Sequence, residues 1–246
     1  MGHFVIFGST GGIGSKLSEI LSGQKHQITL ATRSEERGKA LAEKLHQDYH
    51  VIDFSNSRTL QIGLEQIIAK FGDIDGVANC IGTLFLKPLH LTTDEEWQNV
   101  MTANLTYAFY ILKACCPYFE KHKRGSIVLL SSAAAQIGMV NHEVISAAKA
   151  GLTGMMRAAA ASYAASHVRI NVVAPGLVNT PLTREITTNA MSLKSSVAMH
   201  PLGRIGQPDD IAHAIAWLLS GESSWVTGQV LSVDGGLSSL KLRTGT

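Results

Sequence analysis

The sequence predicts a doubly wound α/β domain, with a parallel seven-stranded sheet and helices on both faces. Three observations predict it. Short apolar runs alternate with longer segments whose apolar residues recur at helical spacing, the pattern of strands joined by right-handed crossovers. The first run leads directly into a glycine turn that opens a helix. No linker or composition shift interrupts residues 1–246, so the chain reads as one domain.

His3-Phe4-Val5-Ile6-Phe7 is the first strand. The turn Gly8-Ser9-Thr10-Gly11-Gly12-Ile13-Gly14 follows, then a helix beginning Ser15-Lys16-Leu17. Residues 27–31 form the second strand and 35–46 a polar helix. Residues 50–54 read as the third strand, and Leu60, Leu64, Ile67 and Ile68 give a helix over 57–71. The fourth strand is 75–79. A helix over about 94–120 has Thr93 as its N-cap. Strand 125–131, an alanine-rich helix over 141–166 and strand 168–174 come next, the last stopped by Pro175-Gly176. Residues 177–206 carry turn residues and little periodicity. A connection that long reads as a lid or substrate-binding loop. Helix 208–220 and strand 229–233 close the sheet.

Composition narrows the function classes. The chain is 45% hydrophobic and 16% charged, which is globular rather than disordered. A net charge of +2 without a basic block gives no reason to expect a nucleic-acid partner. No apolar run reaches the ~18 residues of a membrane span. A strand beginning at residue 3 leaves no room for a leader peptide. Cys80, Cys115 and Cys116 lack metal-ligand spacing and read as reduced thiols, so no metal and a cytoplasmic location are expected.

Ligands of such folds sit at the carboxyl ends of the strands. The loops after residues 7, 31, 53, 79, 131 and 174 therefore share one rim. The glycine turn is G-x-x-x-G-x-G with an added Gly11, not the common G-x-G-x-x-G. Its free amides and the helix dipole suit a pyrophosphate. The alternative is a tight strand-to-helix turn that holds nothing.

Gly8-x-x-x-Gly12-Ile13-Gly14, Asp53, Asn79-Cys80-Ile81-Gly82, Asn104, Ser131-Ser132, Lys149, Asn171-Val172-Val173-Ala174-Pro175-Gly176 and Val233-Asp234-Gly235-Gly236 stand in order along nearly the whole chain. With them the sequence resembles the short-chain dehydrogenase/reductase family, most of all its bacterial members related to 3-oxoacyl-carrier-protein reductases. The resemblance implies a single Rossmann domain and an NAD(P)-dependent oxidoreductase that transfers hydride between nicotinamide and the carbonyl or alcohol of a small-molecule substrate. It implies cofactor contacts from Gly8, Ser9, Thr10, Gly11, Gly12, Ile13, Gly14, Arg33, Asp53, Phe54, Asn79, Ile81, Gly82, Lys149, Pro175, Gly176, Val178 and Thr180. It also implies a homotetramer, or a homodimer, built on helices 94–120 and 141–166 and the last strand; the tail Leu237–Thr246 is a further interface candidate.

The family's catalytic unit is a serine, a tyrosine and a lysine. Ser132 and Lys149 are present, and Asn104 matches the asparagine of the family's proton relay, but the tyrosine position is Ile145. A phenol beside a lysine ammonium gives a proton to the forming alkoxide, and isoleucine has none to give. His142 stands at i, i+3, i+7 with Ile145 and Lys149, so it shares their helix face and is the candidate substitute acid; the plainer reading makes it an ordinary residue at the helix start. Glu143 lies off that face. Ser132 with water relayed through Lys149 and Asn104 is the other route.

Two smaller departures are Cys80 and Ile81 in the family's Asn-Asn-Ala-Gly, and Phe7 in place of threonine. A carboxylate ending the second strand would bind the ribose hydroxyls of NAD. The chain has Thr32-Arg33 there, which favours NADP over NAD, although Gly11 occupies a position where NADP-using members often carry a second basic residue. Three readings remain open: a hydride-transfer enzyme with a relocated proton donor, a catalytically impaired nucleotide-binding subunit or sensor, and a non-redox elimination or isomerisation enzyme.

Overall fold

Successive residues of β1 (His3–Phe7) face opposite sides of the sheet. Val5 and Phe7 enter one core, Phe4 and Ile6 the other, and all five residues are buried. That is the signature of an interior parallel strand covered on both faces. The computed structural model describes residues 1–241. Its other strands are β2 (Gln27–Thr32), β3 (Asp48–Val51), β4 (Gly76–Asn79), β5 (Gly125–Leu130), β6 (Val168–Pro175) and β7 (Val230–Val233). All pair parallel in the order β3-β2-β1-β4-β5-β6-β7.

The helices are α1 (Gly12–Gly23), α2 (Glu35–Leu45), α3 (Ser57–Phe71), α4 (Asp94–Met101), α5 (Tyr107–His122), α6 (Glu143–Tyr163), α7 (Arg184–Thr187), α8 (Ala190–Met199) and α9 (Pro208–Leu219). Leu60 and Leu64 of α3, Ile111 of α5 and Leu152 and Met156 of α6 fill one face. Leu17 and Leu21 of α1, Ala42 of α2 and Ile211 and Ile215 of α9 fill the other. The fold class expected from the sequence is the one observed. Among the described residues, no helix is long and apolar enough to cross a membrane.

Several boundaries differ from expectation, each for a physical reason. The third strand pairs over 48–51, not 50–54. It lies at the sheet edge, so its paired residues stay partly exposed, while the apolar Ile52 and Phe54 that suggested a strand turn into the core just beyond it. The helix expected over 94–120 contains a π turn at Thr102–Thr106 between α4 and α5. The helix expected from 141 starts at Glu143, because Asn141 is in the left-handed region at φ 63°. Residues 177–206 hold α7 and α8; Asn189 caps α8 through its side chain on the Ser192 amide. Of the tail expected at an interface, residues 242–246 lie outside the described residues.

The strand order reverses between β1 and β4, opening a crevice at their carboxyl ends. That crevice holds the candidate site.

Candidate active site

The glycine turn is held from below. The Gly8 amide donates to the Ala31 carbonyl (3.1 Å), and Ser9 Oγ donates to the same oxygen (3.3 Å). Gly8 has φ 75°, open to glycine without steric cost. A Cβ at Gly14 would stand 2.3 Å from the Gly8 carbonyl oxygen, so the helix can start this close to the turn only with glycine. Gly11 caps α1 with no side chain on the first amides of the helix. Those donors face a cleft of about 400 Å³.

Gly8, Thr10, Gly11, Gly12, Ile13, Arg33, Phe54, Ile81, Gly82 and Thr180 all line this cleft. Ser9 and Gly14 stay beneath it as supports. Asp53 is exposed and folds back on the Ser55 amide (2.8 Å) and hydroxyl (2.7 Å), bonds that hold its carboxyl below the usual range. Asn79 is buried and accepts from the Ile81 amide (3.1 Å), shaping the loop from behind. Val178 is buried and bridges to Gly206. Pro175 and Gly176 line a neighbouring cavity instead.

No acidic side chain lines the cleft among the described residues, whereas two cations do: Arg33 and Arg37. Arg37 was not anticipated from the sequence. It lies one turn into α2 and donates a guanidinium N–H to the Thr10 carbonyl, so only the tertiary fold brings it to the glycine turn. The glycine cradle, the open helix amides and this basic end fit a dinucleotide.

Behind Gly82 two polar groups converge. A Cβ there would stand 3.0 Å from Asn104 Oδ1 and 3.2 Å from Lys149 Nζ. Asn104 sits in the π turn, with Nδ2 donating to Thr83 Oγ1 (2.8 Å) and the Val100 carbonyl (3.0 Å), and Oδ1 accepting from the Thr83 amide (3.0 Å). Such turns often mark functional positions within helices. Lys149 Nζ donates to the Leu130 carbonyl (2.9 Å). Burial lowers Lys149 to about 8, opposed by the weaker pull of Cys80. Burial likewise pushes the Cys80 thiol up to about 12, with the Lys149 charge pulling the other way.

The neighbouring cavity, of about 300 Å³, is lined by Ser132, His142 and Ile145 but not by Lys149, and His142 is the non-helical N-cap of α6 rather than a residue on its face. Ser132 Oγ accepts from the Ala134 amide (3.2 Å), leaving its proton free to donate. His142 Nδ1 pairs with the Val140 carbonyl (2.7 Å), which commits the Nδ1 proton and leaves Nε2 free. Ile145 is buried against Val100, Val144 and Ala148 and presents only carbon. His200, which no sequence motif singles out, is buried in the wall between this cavity and a third one. Its Nε2 accepts from the Leu177 amide (3.1 Å), so Nδ1 donates to the Ser196 carbonyl (2.7 Å).

The comparisons agree with this geometry. Residues 8–238 match the family described as enoyl-(acyl carrier protein) reductase. The 3-oxoacyl-[acyl-carrier-protein] reductase FabG of Thermotoga maritima is 31% identical over 238 residues, covering 95% of this chain and 96% of that protein. A short-chain type dehydrogenase/reductase from Mycobacterium ulcerans superposes with a TM-score of 0.92 at 27% identity, covering 96% of this chain and 89% of that one. ElxO, solved with NADP bound, superposes with a TM-score of 0.91 at 25% identity, covering 98% of this chain and 100% of that one. With the crevice at the strand reversal, the glycine turn above it and matches along almost the full length, the chain belongs to the short-chain dehydrogenase/reductase family of oxidoreductases.

Proposed function

We propose that the protein is an NADP(H)-dependent oxidoreductase that interconverts a carbonyl and an alcohol without a tyrosine acid. The observation that carries this reading is the meeting of Ser132, His142 and Ile145 in one cavity, beside the cleft where Lys149 and Asn104 converge on Gly82. The glycine turn and the amides of α1 hold the pyrophosphate, and Arg33 with Arg37 meets the 2′-phosphate. When bound, the nicotinamide supplies or accepts the hydride. Ser132 Oγ donates to the substrate oxygen. The proton for that oxygen comes from His142 Nε2 when the imidazole is charged, or through water at the Lys149–Asn104 niche. Ile145 contributes only a wall. Residues 177–206, including α7 and α8, act as the lid over the substrate. The family resemblance supports a homotetramer, which light scattering at micromolar concentration tests; a monomer there would refute it.

One observation favours a second reading, a nucleotide-holding subunit that turns nothing over: the position that should carry the acid is an isoleucine, packed on an apolar cluster and presenting only carbon to the cavity. A fluorescence titration with NADPH followed by a turnover screen over ketones and alcohols separates the two. Tight NADPH binding with turnover supports the enzyme. Binding without turnover on any carbonyl supports the subunit.

A further inference from the structure

We infer that the cavity beside the nucleotide cleft takes an uncharged, largely apolar ketone or secondary alcohol whose only polar group is the reacting oxygen. This deepens the hydride-transfer reading and rests on it for the chemistry at that oxygen; the selectivity of the wall does not depend on it. Leu84, Leu86, Met139, Ile145, Leu177 and Ile186 are among the apolar residues that make up most of the wall. No lysine, arginine, aspartate or glutamate lines it among the described residues.

The polar residues that do line it are nearly all spent within the protein. Thr183 Oγ1 donates to the Val178 carbonyl (2.5 Å) and accepts from the Thr180 amide (3.1 Å). Ser196 Oγ donates to the Ser192 carbonyl (2.8 Å). Both ring nitrogens of His200 are taken, by the Leu177 amide and the Ser196 carbonyl. Ser192 is exposed. The free groups of the inner wall are therefore the Ser132 hydroxyl proton and His142 Nε2, and both come from the segment that links β5 to α6.

A ligand in this cavity thus finds partners for one oxygen and carbon everywhere else. A carboxylate or phosphate would lose its water without meeting a lysine or arginine, with only the His142 imidazole to face it, and a polyol would bury several hydroxyls against leucine, isoleucine and methionine. A single ketone or alcohol oxygen loses nothing.

The test compares two molecules of nearly equal shape, 4-phenyl-2-butanone and 3-phenylpropionate, with glucose as a polyol, by calorimetry on the full chain with and without saturating NADP+. The ketone is expected to bind at least ~10-fold tighter than the carboxylate, and glucose not at all. Ile186→Lys, on the half-buried four-residue α7, puts a cation on the wall and should narrow or invert that ratio. Carboxylate or glucose binding as tight as the ketone, or an unchanged ratio in Ile186→Lys, overturns the inference, as does a cavity that binds none of the three. Failure of the hydride-transfer reading is seen separately, as absent turnover with the ketone preference intact.

Discussion

Lys149 Nζ donates to the Leu130 carbonyl across 2.9 Å from a site only 6% exposed. An ammonium has three protons to place, and most of its water is gone. Burial accordingly lowers Lys149 from 10.5 to about 8. The folded protein holds this proton less firmly than the unfolded chain does. Between about pH 8 and 10.5, unfolding therefore takes up a proton, and stability rises with pH across that window. Below it the buried charge costs the full penalty, on the order of 3 kcal/mol. Lys149→Met in the cofactor-free protein should be more stable at pH 7 by about 1–3 kcal/mol in urea unfolding, and the advantage should shrink by about pH 9.5. A variant less stable than the parent at both pH values would contradict the assignment of a buried cation.

Arg33 and Arg37 set the second prediction. Both line the cleft at the end of β2, and among the described residues no carboxylate accompanies them there. The unmodified protein should bind NADPH more tightly than NADH. Arg33→Ala should remove on the order of 1–3 kcal/mol of that preference, and the further change Arg37→Ala most of the remainder. The Arg37→Ala effect has a second component, because this guanidinium also ties α2 to the Thr10 carbonyl. Titrations of both nucleotides at one fixed salt concentration measure the ratio, and equal affinities in the unmodified protein would refute it.

The glycine turn gives a third, graded prediction. A Cβ at Gly11 would lie 3.3 Å from the Gly8 carbonyl oxygen, on a backbone with φ −80° that alanine adopts freely. A Cβ at Gly14 would lie 2.3 Å from the same oxygen, and backbone on both sides leaves no flexible group to yield. Gly11→Ala should cost less than about 1 kcal/mol of stability, and Gly14→Ala more than about 3 kcal/mol. Thermal unfolding with and without NADPH reads both. Similar losses for the two variants would show that the turn relaxes more than its contacts suggest.

The parts of the molecule legible in the sequence are those in which local pattern and burial agree. Phe4–Phe7 is apolar throughout because both faces of an interior strand are covered, and the glycines after it form a turn close to a helix start. Legibility failed where that agreement breaks. Asp48–Val51 pairs at an edge, where exposure removes the need for apolar residues, and the apolar Ile52 and Phe54 displaced the expected strand toward the core. The π turn around Asn104 replaces one helical hydrogen-bond pattern by another, a change no apolar spacing records. Helix α8 buries little of its surface, with Met191 and Met199 exposed, so its sequence lacks an apolar stripe. Arg37 and His200 reach the site through contacts 27 and 23 residues away in sequence. Ser132, His142 and Ile145 line one cavity because Ser132 follows the end of β5, His142 is the N-cap of α6 and Ile145 sits in its first turn.

Ile145 gives the last prediction. Its side chain lines the cavity beside the glycine-turn cleft and packs on Val100, Val144 and Ala148, so a larger residue has open volume on one side only. A tyrosine ring there would extend into the cavity, beside Ser132 and on the helix face that carries Lys149 one turn on. Its phenol would supply the acid that isoleucine lacks, an effect of about 10²–10⁴-fold for a positioned group. Ile145→Tyr should therefore raise reduction of small ketones by NADPH, with some loss of stability where the ring crowds the apolar cluster. His142→Ala in the unmodified background separates the two proton routes. A large loss of rate together with a flattened pH profile assigns the proton to the imidazole. An unchanged rate leaves the water route through Lys149 and Asn104, and Asn104→Ala should then abolish what remains. If the unmodified protein already reduces small ketones as fast as Ile145→Tyr does, the missing phenol costs nothing and the proton arrives by a path that neither residue controls.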